Sequence, residues 1–304
     1  MNDDKKTIVL IGCSGYIGQA YIEKFIALGL KVKVLARTPE KITKKFPEAE
    51  VIKGSLFNED DVIKTMQNAN AAFLITPIGP RNNKKVELDA ATASINAAKK
   101  INFQHLIFVS VLIPEYPSGV ALLDAKPEIE NMIRDSGLPW TSIRCGTYME
   151  DVIEHRIKNL LKGTYFFPVD KEKEFNLTCQ ADLPRFVDML LKNNKILNAP
   201  IDFIESRNYK PDDIAALAGK ALNRKVKASG KYPYYALLHL VFPILYLRKH
   251  RLSTIIPLIR FFNIHGYLGD TKQLSEVFPD FKMTTLEEYL ERFSKTKLKE
   301  ILNV

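Results

Sequence analysis

From Thr7 onward the chain alternates short runs of β-branched and other apolar residues with longer stretches whose apolar positions recur every three or four residues. The first pattern suits strands and the second amphipathic helices. Candidate strands are Thr7 to Ile11, Lys31 to Ala36, Glu50 to Lys53, Ala71 to Thr76, His105 to Ser110 and Trp140 to Ile143, with helices between them. One of these helices carries Ala90, Ala93, Ala97 and Ala98 on a single small-residue face, suited to close packing on a sheet. Another is expected to start at Lys126-Pro127, since proline suits a first turn, and to stop at Ser136-Gly137-Leu138-Pro139. Beyond Gly146 the alternation fades. A capped amphipathic helix is read over Asn208 to Asn223, apolar helices over Tyr232 to Leu247 and Thr254 to Phe262, and a last helix over Thr285 to Phe293 behind a Thr-Thr-Leu-Glu cap. The pattern predicts an α/β fold. A doubly wound parallel sheet fills residues 1–148, with a return to that sheet around 165–205, and a smaller, mostly helical domain for substrate or partner fills 149–304.

Composition places the chain among ordinary globular proteins: of its 304 residues 46% are apolar and 26% charged. Cys13, Cys145 and Cys179 stand far apart, without CxxC spacing, so neither a disulfide framework nor a metal cage is encoded. Met1 to Lys6 runs straight into the first strand without the apolar core of a signal peptide. A reducing, cytoplasmic location is expected.

The net charge of +9 is local. Between Ile214 and Gly269 there are nine basic residues and no acidic one, while the remainder balances at 35 and 35. The same segment holds the sixteen-residue run Tyr232 to Leu247, in which His239 is the one strongly polar member. As a helix this run would reach about 24 Å, short of the ~30 Å hydrocarbon core of a bilayer, and Pro243 interrupts it. Three readings stay open for the segment: packed core, a roof over an apolar pocket walled by Tyr234, Tyr235, Phe242 and Tyr246, or peripheral membrane contact through 220–262. Nucleic-acid binding is not expected, because no recognition helix or stacking motif accompanies the charge.

Candidate chemistry begins directly after the first strand, at Gly12-Cys13-Ser14-Gly15-Tyr16-Ile17-Gly18, with an amphipathic helix following. Glycines at this spacing allow a tight turn, close backbone approach to a pyrophosphate, and tight packing of helix on strand; the helix amides then face the phosphates. Nineteen residues past Gly18 stands Arg37, where a site selective for NAD would place an acid on the ribose hydroxyls. A guanidinium there pairs with a 2′-phosphate, so NADP, with NADPH preferred over NADH, is the expected cofactor.

The segments GCSGYIG, VLART, AAFLITP, HLIFVSV, the Lys126 stretch KPEIE, GLPWTSIRCGTYMEDV and YKPDDIAALAGKAL together resemble the NmrA-like proteins, an atypical branch of the short-chain dehydrogenases/reductases. The resemblance implies a Rossmann domain holding NAD(P), a smaller C-terminal domain and a cleft between them. It implies that Gly12, Ser14, Gly15, Tyr16, Ile17, Gly18 and Arg37 line the adenosine and pyrophosphate end. Ile75, Thr76 and Pro77 are expected beneath the nicotinamide half. Ser55 stands where many relatives have an Asp that contacts adenine. Typical short-chain dehydrogenases use Tyr-x-x-x-Lys, whereas here Leu122 precedes Lys126 by four residues. Lys126 is therefore expected at the nicotinamide ribose, or as an acid/base, with Tyr148, Cys145 and Tyr116 as cleft candidates. Relatives include both reductases and non-catalytic redox sensors. Two functions follow: hydride transfer between NADPH and a small apolar acceptor, quinone- or enone-like, or an NADP(H)-sensing regulator with a protein partner.

Overall fold

The computed structural model describes residues 5–78, 83–229, 252–296 and 298. The apolar run Tyr232 to Leu247, with Tyr234, Tyr235, His239, Phe242 and Tyr246, lies outside the described residues.

Strands β1 (Thr7–Ile11), β2 (Lys31–Ala36), β3 (Glu50–Lys53), β4 (Ala71–Leu74), β5 (Leu106–Val111) and β6 (Trp140–Cys145) alternate with helices α1 (Tyr16–Ala27), α2 (Pro39–Lys45), α3 (Glu59–Met66), α4 (Lys85–Lys100) and α5 (Ala121–Asp135). The central strands β1, β4 and β5 are buried on both faces, which is why they read as nearly continuous rather than alternating, whereas edge strand β3 exposes Glu50 and Lys53. Pairing is parallel throughout, in the order β10-β6-β5-β4-β1-β2-β3, with β10 (Pro200–Phe203) joining the edge beside β6. This is the doubly wound, Rossmann-like architecture the sequence pattern predicts. The order reverses between β1 and β4, so the ends of these two strands open a crevice.

One face of the sheet is covered by α1, α2 and α8 (Asp182–Lys192), where Tyr21, Phe25, Phe73, Phe186 and Phe203 form the core. The other is covered by α3, α4 and α5, whose alanines admit close approach: Ala91, Ala97 and Ala98 pack on Val9, Leu74 and Phe108. A third core joins the rest of the chain. It packs α6 (Met149–Ile153), α7 (Ile157–Leu160), α9 (Pro211–Ala221), α10 (Leu252–His265) and α12 (Leu286–Lys295) around the short strands β7 (Thr147–Tyr148), β8 (Thr164–Tyr165), β9 (Phe175–Thr178), β11 (Asn208–Tyr209) and β12 (Lys227–Ala228). Helix α11 (Gln273–Val277) lies against β10.

Several boundaries differ from the sequence expectation, three of them in ways that change how the chain is read. Helix α5 starts at Ala121, not at Lys126-Pro127, and carries Pro127 inside it. The Asp124 carboxylate accepts hydrogen bonds from the Ser118 amide and hydroxyl, each at 2.7 Å, and this turn founds the helix about one and a half turns earlier. The C-terminal stop holds, with Gly137 in the left-handed region at φ 74°. The stretch from Asn208 begins as strand β11, paired antiparallel to β9, and only from Pro211 becomes helix. Strand β4 ends at Leu74, although the Ile75 amide still donates to the Ile11 carbonyl of β1 at 2.9 Å, and Thr76 follows it buried.

Candidate functional site

The turn after β1 is shaped by three glycines with different reasons for being glycine. Gly12 has φ 79°, and a Cβ there would lie 1.9 Å from the Ile75 carbonyl oxygen, on the neighbouring β4 crossover. A Cβ on Gly18 would lie 2.2 Å from Cys13 Cα. Both are demanded by the chain's own packing. Gly15 is different: its φ of −80° suits any residue, and a Cβ on it would meet no atom within 4 Å among the described residues beyond its chain neighbours. Its packing among those residues does not require a glycine at the N-cap of α1. No side chain caps that helix, and its first turn holds no acidic residue, so its opening amides are free to meet an anion.

Ser14 is exposed and Ile17 half-buried on the same turn, and Tyr16 opens α1. The Ser14 carbonyl accepts a hydrogen bond from Gln19 Nε2 at 3.0 Å, and Gln19 Oε1 in turn accepts from Lys45 Nζ of α2 at 3.2 Å. Arg37 sits just past the end of β2, exposed and without an acidic partner among the described residues. Ser55 donates its amide to Asp61 Oδ2 at 2.8 Å, while its hydroxyl accepts from the Phe57 amide.

At the ends of β4 and β5 the structure joins two expected residues to one that the sequence reading missed. Lys126 Nζ donates to Thr76 Oγ1 at 2.6 Å and to Glu87 Oε2 at 2.8 Å, and the Thr76 hydroxyl donates to the same Glu87 oxygen at 2.9 Å. The ammonium also lies 5.2 Å from the Phe108 ring centroid. All three side chains are buried. Two of the three ammonium protons are thus engaged. Glu87 Oε1 and the Ser110 hydroxyl, both buried, find no hydrogen-bond partner among the described residues. A buried polar network that leaves acceptors unsatisfied stabilises the core less than an apolar one of the same shape. Such an arrangement points to a role other than stability.

Tyr148 stands on the other side of the crevice. Its hydroxyl is 3.2 Å from that of Tyr21, and burial raises both phenols well above their ordinary range. Cys145, at the end of β6, is buried in the core beside Tyr148, and burial pushes its thiol up to about 12. Cys13 is fully buried beneath the glycine turn and is raised further by the same cause. Neither thiol is a nucleophile at neutral pH. Ile78 and Tyr116, on the loops after β4 and β5, are exposed, as are Ile264 and Leu268 around the end of α10; Tyr116 makes a ring contact with His265 of that helix.

A profile of the NmrA-like family matches residues 4–290. The chain belongs to the NmrA-like family. Among solved structures this NmrA-like protein is similar to an NADPH-dependent quinone oxidoreductase from Escherichia coli complexed with NADPH (TM-score 0.74, 18% identity, covering 94% of this chain and 99% of that one). It is similar also to NmrA, a negative transcriptional regulator, in complex with NADP (TM-score 0.71, 18% identity, covering 98% of each chain). At such identities the likeness is one of fold. A (4-alkanoyl-5-oxo-2,5-dihydrofuran-3-yl)methyl phosphate reductase from Streptomyces griseus is 28% identical over 149 residues, 48% of this chain and 49% of that protein. The match thus spans about half of that relative's length.

Glu87 escaped the sequence reading because an acid in the first turn of a helix ordinarily complements the helix dipole in solvent. Tyr21 escaped because an aromatic on the apolar face of α1 reads as core, which it also is, packing edge-on against Phe73. For Glu87 no signal was available in one sequence. For Tyr21 the signal was the polar hydroxyl on an otherwise apolar face.

Proposed function

We propose that this NmrA-like protein is an NADP(H)-dependent oxidoreductase acting on a small apolar acceptor, quinone- or enone-like. The observation that carries the reading is the glycine turn, in which no described residue packs where a Gly15 side chain would stand and the helix N-terminus beside it has no side-chain cap. Gly12, Ser14, Gly15, Tyr16, Ile17 and Gly18 would hold the pyrophosphate, and Arg37 the 2′-phosphate. Ile75, Thr76 and Pro77 would lie beneath the nicotinamide, with the third proton of Lys126 left to donate to its ribose. Bound NADPH supplies a hydride, and the acceptor takes its balancing proton from solvent.

The chain's own part is placement. Lys126 is pinned by Glu87 and Thr76, so it serves as a fixed donor. A proton passed from it to substrate would leave the Glu87 carboxylate buried and uncompensated. Tyr148 and Tyr21, raised by burial, are poor acids, and Leu122 stands where a catalytic tyrosine would precede Lys126. The exposed apolar rim of Ile78, Tyr116, Ile264 and Leu268 supports an apolar acceptor over a charged one.

Leu122 also favours a second reading, a non-catalytic NADP(H)-sensing regulator whose nucleotide occupancy changes its affinity for a protein partner. Calorimetric titration with NADPH and NADH tests what both readings share. NADPH is expected to bind well ahead of NADH, and Arg37→Ser to cost about tenfold or more in NADPH affinity with NADH unchanged. Binding of neither nucleotide overturns both readings. Steady NADPH consumption with a panel of quinones supports the oxidoreductase; tight binding without turnover on any of them supports the regulator.

A further inference from the structure

The positive charge concentrated after Ile214 has no part in the dinucleotide site, yet the fold gathers several of its members onto one face with two lysines from an earlier segment. Strands β8 and β12 lie side by side, Lys227 opposite Thr164, and the Lys227 amide donates to the Gly163 carbonyl at 3.0 Å. The Arg224 guanidinium donates to the Leu161 carbonyl, and the Lys225 carbonyl lies against Gly163. Helices α7 and α9 pack beside this strand pair. Lys158, Lys162, Lys220, Arg224, Lys225 and Lys227 are all exposed there.

Residues 157–165 and 214–229 contain no acidic residue, and among the described residues none of the six cations has an ion-pair partner. Elsewhere some exposed lysines are matched, as in Lys85–Asp89, Lys100–Glu59 and Lys192–Asp188, and others such as Lys44, Lys53 and Lys64 are not; what sets this face apart is that both of its segments lack any acid. Lys158 and Lys220 lie in the last turns of α7 and α9, where cations offset the negative helix ends. Arg224 likewise donates to the Leu161 carbonyl at the end of α7. That accounts for three. Lys162, Lys225 and Lys227 are beyond it, and cations crowded on one face repel each other unless an anionic surface compensates them.

Two further features select the kind of surface. Phe166 directly follows β8 and is 39% exposed, and an exposed ring can enter a headgroup layer. From Ser229 the sequence passes through Lys231 into the apolar run and out through Arg248, Lys249 and Arg251, apolar residues between cations. A phosphodiester backbone would use the charges and leave the exposed Phe166 ring without a partner. No helix among the described residues is long and apolar enough to cross a membrane. We propose that the face formed by Lys158, Lys162, Lys220, Arg224, Lys225, Lys227 and Phe166 docks the protein peripherally on an anionic lipid bilayer.

The test is co-sedimentation of the full chain with phosphatidylcholine vesicles, with and without roughly a quarter phosphatidylglycerol. Binding is expected only to the anionic vesicles at about 0.1 M salt, with release near 0.5 M as the Debye length shrinks. Each basic residue at such a surface is worth about fivefold in partition, so Lys225→Glu with Lys227→Glu is expected to lower binding at least about 25-fold. Lys64→Glu with Lys99→Glu makes the same change in net charge on the exposed α3 and α4 surface and is expected to retain most binding. Lys158→Glu with Lys162→Glu provides a second reversal, should the first fail to fold by circular dichroism. Equal binding to both vesicle types, absence of binding, or equal losses from the two faces each overturn the proposal. Retention of a duplex DNA oligonucleotide in place of vesicles overturns the lipid assignment. NADPH binding is expected to be unchanged in every one of these variants, which separates this outcome from that of the dinucleotide site.

Discussion

At the scale of single residues, three glycines in one turn are spaced alike and do different work. Gly12 and Gly18 are fixed by backbone atoms 1.9 and 2.2 Å from where a Cβ would stand, so alanine at either is expected to destabilise by several kcal/mol, read as a large drop in melting temperature. Gly15→Ala meets no atom within 4 Å among the described residues beyond its chain neighbours. It is expected to change stability by no more than about 1 kcal/mol while lowering NADPH affinity about tenfold or more in calorimetry, because its methyl group points where the pyrophosphate would lie. Loss of fold without a separable binding defect at Gly15 would remove the case for a ligand there. The spacing of the motif was legible in the sequence. The division between two packing glycines and one ligand-facing glycine was not, since it depends on how close the β4 crossover comes to the turn.

At the scale of elements, the buried cluster of Thr76, Glu87 and Lys126 ties the end of β4 to α4 and α5. Lys126→Met alone leaves Glu87 buried with an unmatched charge and is expected to cost about 3–5 kcal/mol by urea denaturation. Adding Glu87→Met restores most of that stability, since an apolar pair can fill the space, but does not restore NADPH binding. Recovery of both would reduce the cluster to packing. The lysine was picked out by its place in the family's pattern, yet the helix that carries it was expected to start there. Its true start at Ala121 puts Lys126 in the interior of α5, on the face toward the sheet, and the cause is the Ser118–Asp124 turn. A local signal, Lys-Pro, lost to the turn that Ser118 and Asp124 form just upstream. The last helix shows the opposite case: Thr285 and Glu288 form the reciprocal cap that its sequence announced.

At the scale of the whole molecule, the third core is closed by a buried acid. Glu205 accepts from the Tyr209 hydroxyl at 2.7 and 2.8 Å and from the Leu286 amide at the start of α12, and burial raises its carboxyl to about 7. The folded protein therefore keeps a proton that the unfolded chain releases above about pH 4.5. This contribution is full below that pH, declines as pH rises and is gone above about 7. Its size is on the order of 3 kcal/mol. Buried His105, lowered to about 4 by burial, contributes in the opposite sense and is lost as pH falls from about 6.5. Glu205→Gln isolates the first: its melting temperature relative to wild type is expected to rise between about pH 5 and pH 7.5. A flat difference would reject the titration. By itself the sequence determined the parallel sheet, its strand order at the level of fold class, the position of the glycine turn and the confinement of positive charge to one segment. These rest on local periodicity, turn chemistry and charge counts, which neighbours along the chain carry. Tertiary structure alone decided which oxygen meets Lys126, why Gly15 is free, where Glu205 is buried and how lysines from two segments share one face. Those facts depend on contacts between residues 39 to 81 positions apart or on packing that no local pattern encodes.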